Sequence, residues 1–378
     1  MDAKRVIFIT GTRADYGKLK PLMLAMENDP KFEIFIFVCG MHLSEKFGST
    51  YTEVQKDGYK NIYVAFGLSQ SQNGSEILGD TIRCLAGYVD NIRPDMIIVH
   101  GDRLDALAGA VVGAINNVLV GHIEGGEVSG TLDESIRHAI SKLAHVHFVC
   151  NRVAHDRLIQ IGEEPSRIFI IGSPDIDVMM SGALPSLEDV RRRYEIEFDR
   201  YGILMYHPVT TEFESIREKA RTVVDAVLDS ALSYVVILPN NDLGSEVIMS
   251  EYQRFDGSKR FRVFPSLRFE YFLSLLKNAE FIIGNSSAGI RESGVYGIPA
   301  IDIGTRQSGR YCTQTARNIQ HVREDREDIL SAIDHAPQFR YSSFLYGDGR
   351  SVEKFYGIVS SEDFWNIKIQ KKFIDYDL

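Results

Sequence analysis

The sequence predicts an α/β protein of two doubly wound, Rossmann-like domains with an active-site cleft between them. Three observations carry that expectation. Short β-rich apolar runs alternate with amphipathic stretches, the runs have few polar interruptions, and the pattern breaks once and restarts. Alternation points to βαβ units on a parallel sheet. Uninterrupted apolar runs point to strands covered on both faces. In open parallel sheets ligands sit outside the carboxyl ends of the strands, so each strand end is a place to look for chemistry.

The first set of strands is expected at Val6–Thr10, Ile34–Val38, Ile62–Phe66, Met96–Val99, Val118–Ile123, Val146–Cys150 and Ile168–Ile171, with a helix from Ala14 to Met26 after the first. The break falls at Gly172-Ser-Pro174 and again around Leu184-Pro-Ser186. A second set follows at Ile203–Tyr206, Tyr234–Leu238, Phe261–Phe264, Phe281–Ile283, Ala300–Ile303 and Ile319–Val322. The expected domains are therefore residues 1–174 and 175–354, and the stretch from Ser351 to Leu378 reads as a helix with a ragged, charged end. Gly67 to Ser75 has the composition of a mobile loop.

Composition narrows the function. The chain has 378 residues, 44% of them hydrophobic, enough for two cores of ordinary size. A formal charge of −10 argues against nucleic-acid binding, which leaves a basic footprint. It permits an anionic small ligand held by a few local cations. Cys39, Cys84, Cys150 and Cys312 lie far apart and read as reduced core or near-core thiols of a cytosolic protein. Met1–Thr10 is too short and too charged for a signal peptide. No apolar stretch approaches the ~20 residues of a membrane span. A cytoplasmic protein without a membrane partner is expected.

The strand ends carry the chemistry. The first ends in Gly11-Thr-Arg-Ala-Asp-Tyr-Gly-Lys18, a glycine turn feeding a helix start, where free N–H groups favour an anion. Arg13 adds a phosphate-matching fork, and Arg13 and Lys18 bracket the turn. The bland alternative is a βα turn with solvated cations. The second ends in Gly40-Met41-His42, where His42 suits helix capping and substrate contact equally. Two successive strands end in His100-Gly-Asp-Arg103 and His122-Ile-Glu-Gly-Gly-Glu127, and Asp133 lies just beyond. Asp102, Glu124 and Asp133 thus gather along one rim. A lone acid at a strand end is often a helix cap. Several together repel one another, which raises some pKa values and suits acid–base work. A hard ion such as Mg²⁺ is the alternative that spacing leaves open.

In the second half, Tyr206-His207-Pro208, Leu238-Pro-Asn240 and Phe264-Pro-Ser-Leu267 close successive strands. Gly284-Asn-Ser-Ser287 then opens a helix, with Ser286 and Ser287 forming a phosphate cradle and Glu292 placed to accept from a ribose diol. A plain Asn/Ser cap is the alternative. Gly304-Thr-Arg306 adds a second cationic fork. This division suits a nucleotide diphosphate on the second domain and a reacting sugar facing acids of the first. Other features read as structural. Asp175-Ile-Asp177 is expected to cap a helix at the break, and Asp375-Tyr-Asp377 lies in the tail. Trp365, Phe269, Tyr271 and Phe272 read as core, Arg191–Arg193 as a solvated helix face. His138, His145 and His147 lack a metal-binding spacing.

Taken in order, Gly11-Thr-Arg-Ala-Asp-Tyr-Gly-Lys18, His100-Gly-Asp-Arg103, His122-Ile-Glu-Gly-Gly-Glu127, Asp133-Glu-Ser-Ile-Arg-His138, Gly284-Asn-Ser-Ser287 and Gly304-Thr-Arg-Gln307 resemble the hydrolysing UDP-N-acetylglucosamine 2-epimerases over nearly the whole chain. The related non-hydrolysing enzymes carry Pro-Glu after the first Gly-Thr-Arg and read Glu-Ala-Gly-Leu-Arg at the second motif. Ala14-Asp15 and Gly125-Gly126-Glu127 stand there instead. The resemblance implies a GT-B architecture with the C-terminal helix, about 355–378, packed back on the first domain. It implies conversion of UDP-N-acetylglucosamine and water to N-acetylmannosamine and UDP for sialic acid biosynthesis, through a 2-acetamidoglycal and without nicotinamide or metal. Asp102, Glu124 and Asp133 take the acid–base roles, the remover of the C2 proton being undecided. Arg13, His207, Ser286, Ser287 and Arg306 serve the diphosphate. Asn240 and the backbone near Leu267 resemble uridine contacts, Glu292 the ribose contact, and Arg103 and Arg137 residues near sugar or diphosphate. Gly17 departs from a frequent Ser, replacing a hydroxyl by a bare N–H. Homodimers or homotetramers are implied. The rivals are a paralogue acting on UDP-2,4-diacetamido-2,4,6-trideoxyglucose for legionaminic acid, a glycosyltransferase of the same architecture, and a non-catalytic sugar-nucleotide sensor.

Overall fold

A computed structural model describes residues 3–45, 48–68, 73–240, 242–312 and 314–375. The chain divides into two units. Unit 1 comprises Met1–Glu127, Asp133–Met180 and Tyr346–Leu378, and unit 2 comprises Val128–Leu132 and Ser181–Leu345.

In unit 1 the strands are β1 (Lys4–Thr10), β2 (Phe32–Val38), β3 (Asn61–Val64), β4 (Met96–His100), β5 (Leu119–Ile123), β6 (Val146–Val149) and β7 (Ile168–Ile170). Helices α1 (Arg13–Glu27), α2 (Tyr51–Lys56), α3 (Gly74–Ile92), α4 (Leu104–Ile115), α5 (Leu132–Leu143), α6 (Arg152–Gln160) and α7 (Pro174–Met180) alternate with them. The sheet is parallel in the order β3-β2-β1-β4-β5-β6-β7. Its order reverses between β1 and β4, the switch point where such sheets bind ligands. Alternation along β1 serves both faces. Val6 and Phe8 join one buried cluster with Leu19, Leu22 and Met26 of α1, while Ile7 and Ile9 join another with Leu85, Val89, Ala106 and Ala110 of α3 and α4.

Unit 2 repeats the plan with α8 (Leu187–Tyr194), β8 (Gly202–Met205), α9 (Ile216–Asp229), β9 (Tyr234–Ile237), α10 (Ser245–Tyr252), β10 (Phe261–Phe264), α11 (Phe269–Lys277), β11 (Phe281–Gly284), α12 (Ala288–Arg291), β12 (Ala300–Ile303), β13 (Ile319–Val322) and α13 (Arg326–His335). Its parallel order is β10-β9-β8-β11-β12-β13, with the switch between β8 and β11. Two doubly wound parallel sheets are what the sequence predicts, and strand ends agree to within about two residues.

The differences are local. Ser351 to Leu378 is not one helix: α14 spans Ser351–Val359, a 3-10 turn follows at Asp363–Asn366, and residues 367–375 are irregular. Unit 1 encloses α14, with Phe355, Val359 and Phe364 buried in the α1-side cluster. The Asp175-Ile-Asp177 segment caps a helix, but one remote in sequence. Ser351 and Val352 donate backbone N–H groups to the Asp177 carboxylate at 2.9 and 2.8 Å, so Asp177 covers the start of α14. Cys39 and Cys150 are buried and Cys84 is half-buried, while Cys312 is exposed rather than near a core. The expected loop at Gly67 to Ser75 and the tail Asp375-Tyr-Asp377 lie partly outside the described residues. Among the described residues no helix is long and apolar enough to cross a membrane.

Replacing Asp177 by Ala should lower stability by about 1–2 kcal/mol, since two buried-end donors lose one acceptor. Urea unfolding measures this, and an unchanged midpoint would remove Asp177 as the cap.

Candidate active site

At the end of β1 the chain turns through Gly11 into α1, and Asp15 knits that turn. Gly11 and Thr12 each donate a backbone N–H to Asp15 at 3.0 Å, and the Thr10 hydroxyl donates to it at 2.7 Å. Thr12 caps the helix in return, completing a capping box. The donors expected to meet an external anion therefore meet a carboxylate of the chain. Arg13 turns its fork onto a carboxylate of the chain, with Nε and Nη2 donating to Glu53 of α2 at 3.1 and 2.7 Å. Gly17 lies one turn inside α1, so its N–H belongs to the helical ladder and does not replace a hydroxyl.

Lys18 is not at the turn's mouth. It is buried, with Nζ 3.1 Å from Asp175 of α7 and 3.8 Å from Glu124 just beyond β5. Glu124 is only 5% exposed. It also lies 3.2 Å from His100 Nε2 and accepts the Ser173 hydroxyl. Its φ of +64° is left-handed, a strained conformation for a residue with a side chain. The strain turns Glu124 at the end of its strand, with its N–H donating to the Phe148 carbonyl at 3.0 Å. Gly126 follows at φ +77°, where a Cβ would collide with the Ala154 carbonyl.

Asp102 lies beyond the neighbouring strand, β4. It accepts from Arg137 Nη2, and Arg137 is 2% exposed. Arg137 Nη1 also donates to the Glu127 carbonyl at 3.3 Å. Asp133 is half-buried in the first turn of α5. It precedes Arg137 by four positions and so shares its helix face. His122 braces the same corner, bridging the Gly101 carbonyl at 2.7 Å and the Ser141 hydroxyl at 3.0 Å. Arg103 precedes α4, its Nη2 3.7 Å from Met41 Sδ. His42 is buried with both ring nitrogens occupied, by Thr10 at 3.0 Å and Thr50 at 2.6 Å.

In unit 2 Asn285 holds the switch point. Its side chain accepts the His207 N–H at 2.7 Å and donates to the His207 carbonyl at 2.9 Å, tying the ends of β8 and β11. Gly284 makes this possible, because at φ +132° a Cβ would strike the Met205 carbonyl. His207 Nδ1 accepts the Asn240 N–H at 3.1 Å. A neutral ring then carries its proton on Nε2. Gln307 and Arg306 both donate to the Asn285 carbonyl, at 2.8 and 3.4 Å. Ser286 and Ser287 stand at the start of α12, which is a single turn; Glu292 is its buried C-cap, not a residue within a longer helix. Ser293 contributes to the early end, its hydroxyl bonding back to the Gly289 carbonyl at 2.7 Å. Leu267 is buried in the loop after β10.

Among the described residues, no group of three or more His, Cys, Asp or Glu is arranged to hold a metal ion. Sequence reasoning missed four contributors. His100 and Asn285 lie inside quoted motifs without being singled out, Ser173 lies at the break with no pattern that marks it, and Asp175 reads from sequence only as part of a helix-capping segment.

Residues 24–360 match the family described as UDP-N-acetylglucosamine 2-epimerase. This chain is a member of the UDP-N-acetylglucosamine 2-epimerase family. It is 47% identical over 380 residues, 99% of this chain and 100% of the relative, to the UDP-N-acetylglucosamine 2-epimerase of Neisseria meningitidis serogroup B. It is 32% identical over 365 residues, 95% of this chain and 96% of the relative, to the UDP-N,N'-diacetylbacillosamine 2-epimerase (hydrolyzing) of Legionella pneumophila. A solved structure of a UDP-GlcNAc 2-epimerase from Neisseria meningitidis bound to UDP-GlcNAc matches with a TM-score of 0.80 at 18% identity, over 94% of this chain and 99% of that one. One from Methanocaldococcus jannaschii, in complex with UDP-GlcNAc and UDP, matches with a TM-score of 0.80 at 20% identity and the same coverage. At such identity the likeness is one of fold, and the epimerase's GT-B-like fold of two parallel sheets is the one expected from sequence.

Burial sets the acid response of unit 1. It pushes His42 and His145 down to about 4 and His122 to about 3. These rings stay neutral in the fold, while the unfolded chain takes up protons near pH 6.5. Stability therefore falls as pH drops below about 6.5 and keeps falling until each folded ring titrates. Asp105, pushed up to about 6 by burial, works in the opposite sense with one proton. Three rings outweigh one carboxyl. Urea unfolding should show a lower midpoint at about pH 5.5 than at about pH 7, with each ring contributing about 1 kcal/mol; equal midpoints would sink this account.

Proposed function

We propose that the chain is a hydrolysing UDP-GlcNAc 2-epimerase, converting UDP-N-acetylglucosamine and water to N-acetylmannosamine and UDP for sialic acid biosynthesis. The observation that carries this reading is the pair of carboxylates beyond adjacent strands, Asp102 on Arg137 and Glu124 on Lys18, His100 and Ser173. Family membership supports the UDP-sugar, and the 47% relative's name supports N-acetylglucosamine. The word "hydrolyzing" in the Legionella relative's name supports water as acceptor, as do Ala14-Asp15 and Gly125-Gly126-Glu127.

The C2 hydrogen has no neighbouring carbonyl, so C1–O cleavage runs ahead of proton removal. The C1–O pair leaves with UDP, a carboxylate takes the C2 proton, and the C2–H pair becomes the C1=C2 double bond of a 2-acetamidoglycal. Water then adds its hydroxyl to C1 while a proton reaches C2 from the opposite face. Asp102, Glu124 and Asp133 supply these transfers. His207 Nε2–H, Ser286, Ser287, Arg13 and Arg306 stabilise the departing diphosphate. Asn240 and the Leu267 backbone serve uridine, Glu292 the ribose, and Arg103 the sugar or diphosphate. Arg137 holds Asp102 in place through its Nη2 hydrogen bond. The reaction needs no nicotinamide or metal. A homodimer or homotetramer in the cytoplasm completes the reading, with a UDP-sugar substrate and UDP product as its small-molecule partners.

The Legionella relative favours a second reading, in which the sugar is a 2,4-diacetamido-6-deoxy compound. Proton NMR of both UDP-sugars in D₂O decides between them. We expect free N-acetylmannosamine with one deuterium at C2 and stoichiometric UDP. Turnover of the 6-deoxy sugar alone would replace the first reading with the second. Asp102→Asn and Glu124→Gln should each lower kcat by about 10²–10⁴-fold while sparing UDP binding by calorimetry. Normal turnover in both would falsify the catalytic assignment.

A further inference from the structure

Lys18 has two buried carboxylates within ion-pair distance and only one positive charge to share. Asp175 is wholly buried and nearer, at 3.1 Å against 3.8 Å for Glu124. Coulomb attraction falls with distance, so Asp175 takes the larger share of the ammonium. Asp175 is also anchored as an anion. It lies in the first turn of α7, where the helix dipole favours negative charge, and it accepts the Ile176 N–H at 2.9 Å. Two carboxylates and one ammonium together carry a single negative charge. A Lys18–Glu124 pair alone would be neutral and would hold Glu124 as a weak base.

We infer that Asp175 is a positioning residue, which draws Lys18 away from Glu124 and so leaves Glu124 basic enough to exchange a proton with the sugar. This rests on the hydrolysing reading for its consequence, not for its geometry. Also facing Glu124 are His100 at the end of β4, His122 of β5 and the Ser173 hydroxyl before α7. The serine carries no charge. Asp175 acts on Glu124 chiefly through Lys18, and its own negative charge works in the same direction.

The test is the titration of Glu124 in the full-length protein, labelled with δ-¹³C glutamate and assigned by loss of the signal in Glu124→Gln. Asp175→Asn preserves shape and removes the charge. Its Glu124 midpoint should fall by about one pH unit, because the freed ammonium favours the carboxylate form. The limb of the kcat–pH profile that follows Glu124 should move down with it. At pH 7 kcat should drop by about three- to tenfold, with KM changed less than about twofold. Asp175→Glu, which keeps the charge, should retain most of the wild-type midpoint. Asp175→Ser carries the same expectation as Asp175→Asn should the latter not fold. A midpoint that is unmoved or rises in a folded charge-removing variant overturns the inference. The titration needs no substrate. Failure of the wild type to turn over UDP-GlcNAc would sink the proposed activity and leave this comparison decisive for Asp175.

Discussion

Lys18 carries its ammonium into the interior of unit 1, where a pair of carboxylates compensates for lost water. A buried charge without such partners is prohibitively costly, so the partners must arrive together. Three elements are thereby fixed against one another: α1, which delivers the lysine; the residue after β5; and α7, the last helix before the chain leaves the unit. The left-handed backbone at Glu124 belongs to the same constraint. It is tolerated because the Phe148 carbonyl, His100, Ser173 and Lys18 all hold the residue in place.

Unit 2 solves its switch point with neutral groups instead. The double hydrogen bond from Asn285 to the backbone of His207 does for β8 and β11 what an ion pair does in unit 1, with no charge to bury. It leaves the His207 ring supported from the Asn240 side. The difference fits the division of labour in the reaction we propose. Acid–base groups need tunable charge around them, whereas a leaving diphosphate needs fixed donors.

The fold was legible because both sheets are parallel and covered, so that nearly every strand is an apolar run and every strand end a change of composition. The positions of Asp102, Glu124, His207 and Ser286 just beyond strands were legible for the same reason. Two kinds of residue were not. Lys18 was expected beside the glycine turn because sequence proximity suggested it, yet on a helix a step of five positions from Arg13 changes the face, and that face is buried. Asp175 and Ser173 were passed over because their partners lie about fifty residues or more away, and no local pattern encodes such a contact. Asp177 illustrates the same limit. Its type announced a cap, but the helix it caps begins 174 residues later.

The return of α14 has a consequence for how the protein is made. Phe355, Val359 and Phe364 complete the cluster on the α1 side of unit 1, together with Leu19, Leu22 and Phe148. During synthesis the first seven strands emerge well before these side chains do. That apolar face stays uncovered while all of unit 2 is translated, some tens of seconds at ordinary ribosome speeds of about 5–20 residues per second. Unit 2, contiguous in its main segment, has all its strands and helices before unit 1 can close. The nascent chain is therefore most vulnerable to aggregation and most dependent on chaperone cover on its N-terminal half, the reverse of the usual vectorial order.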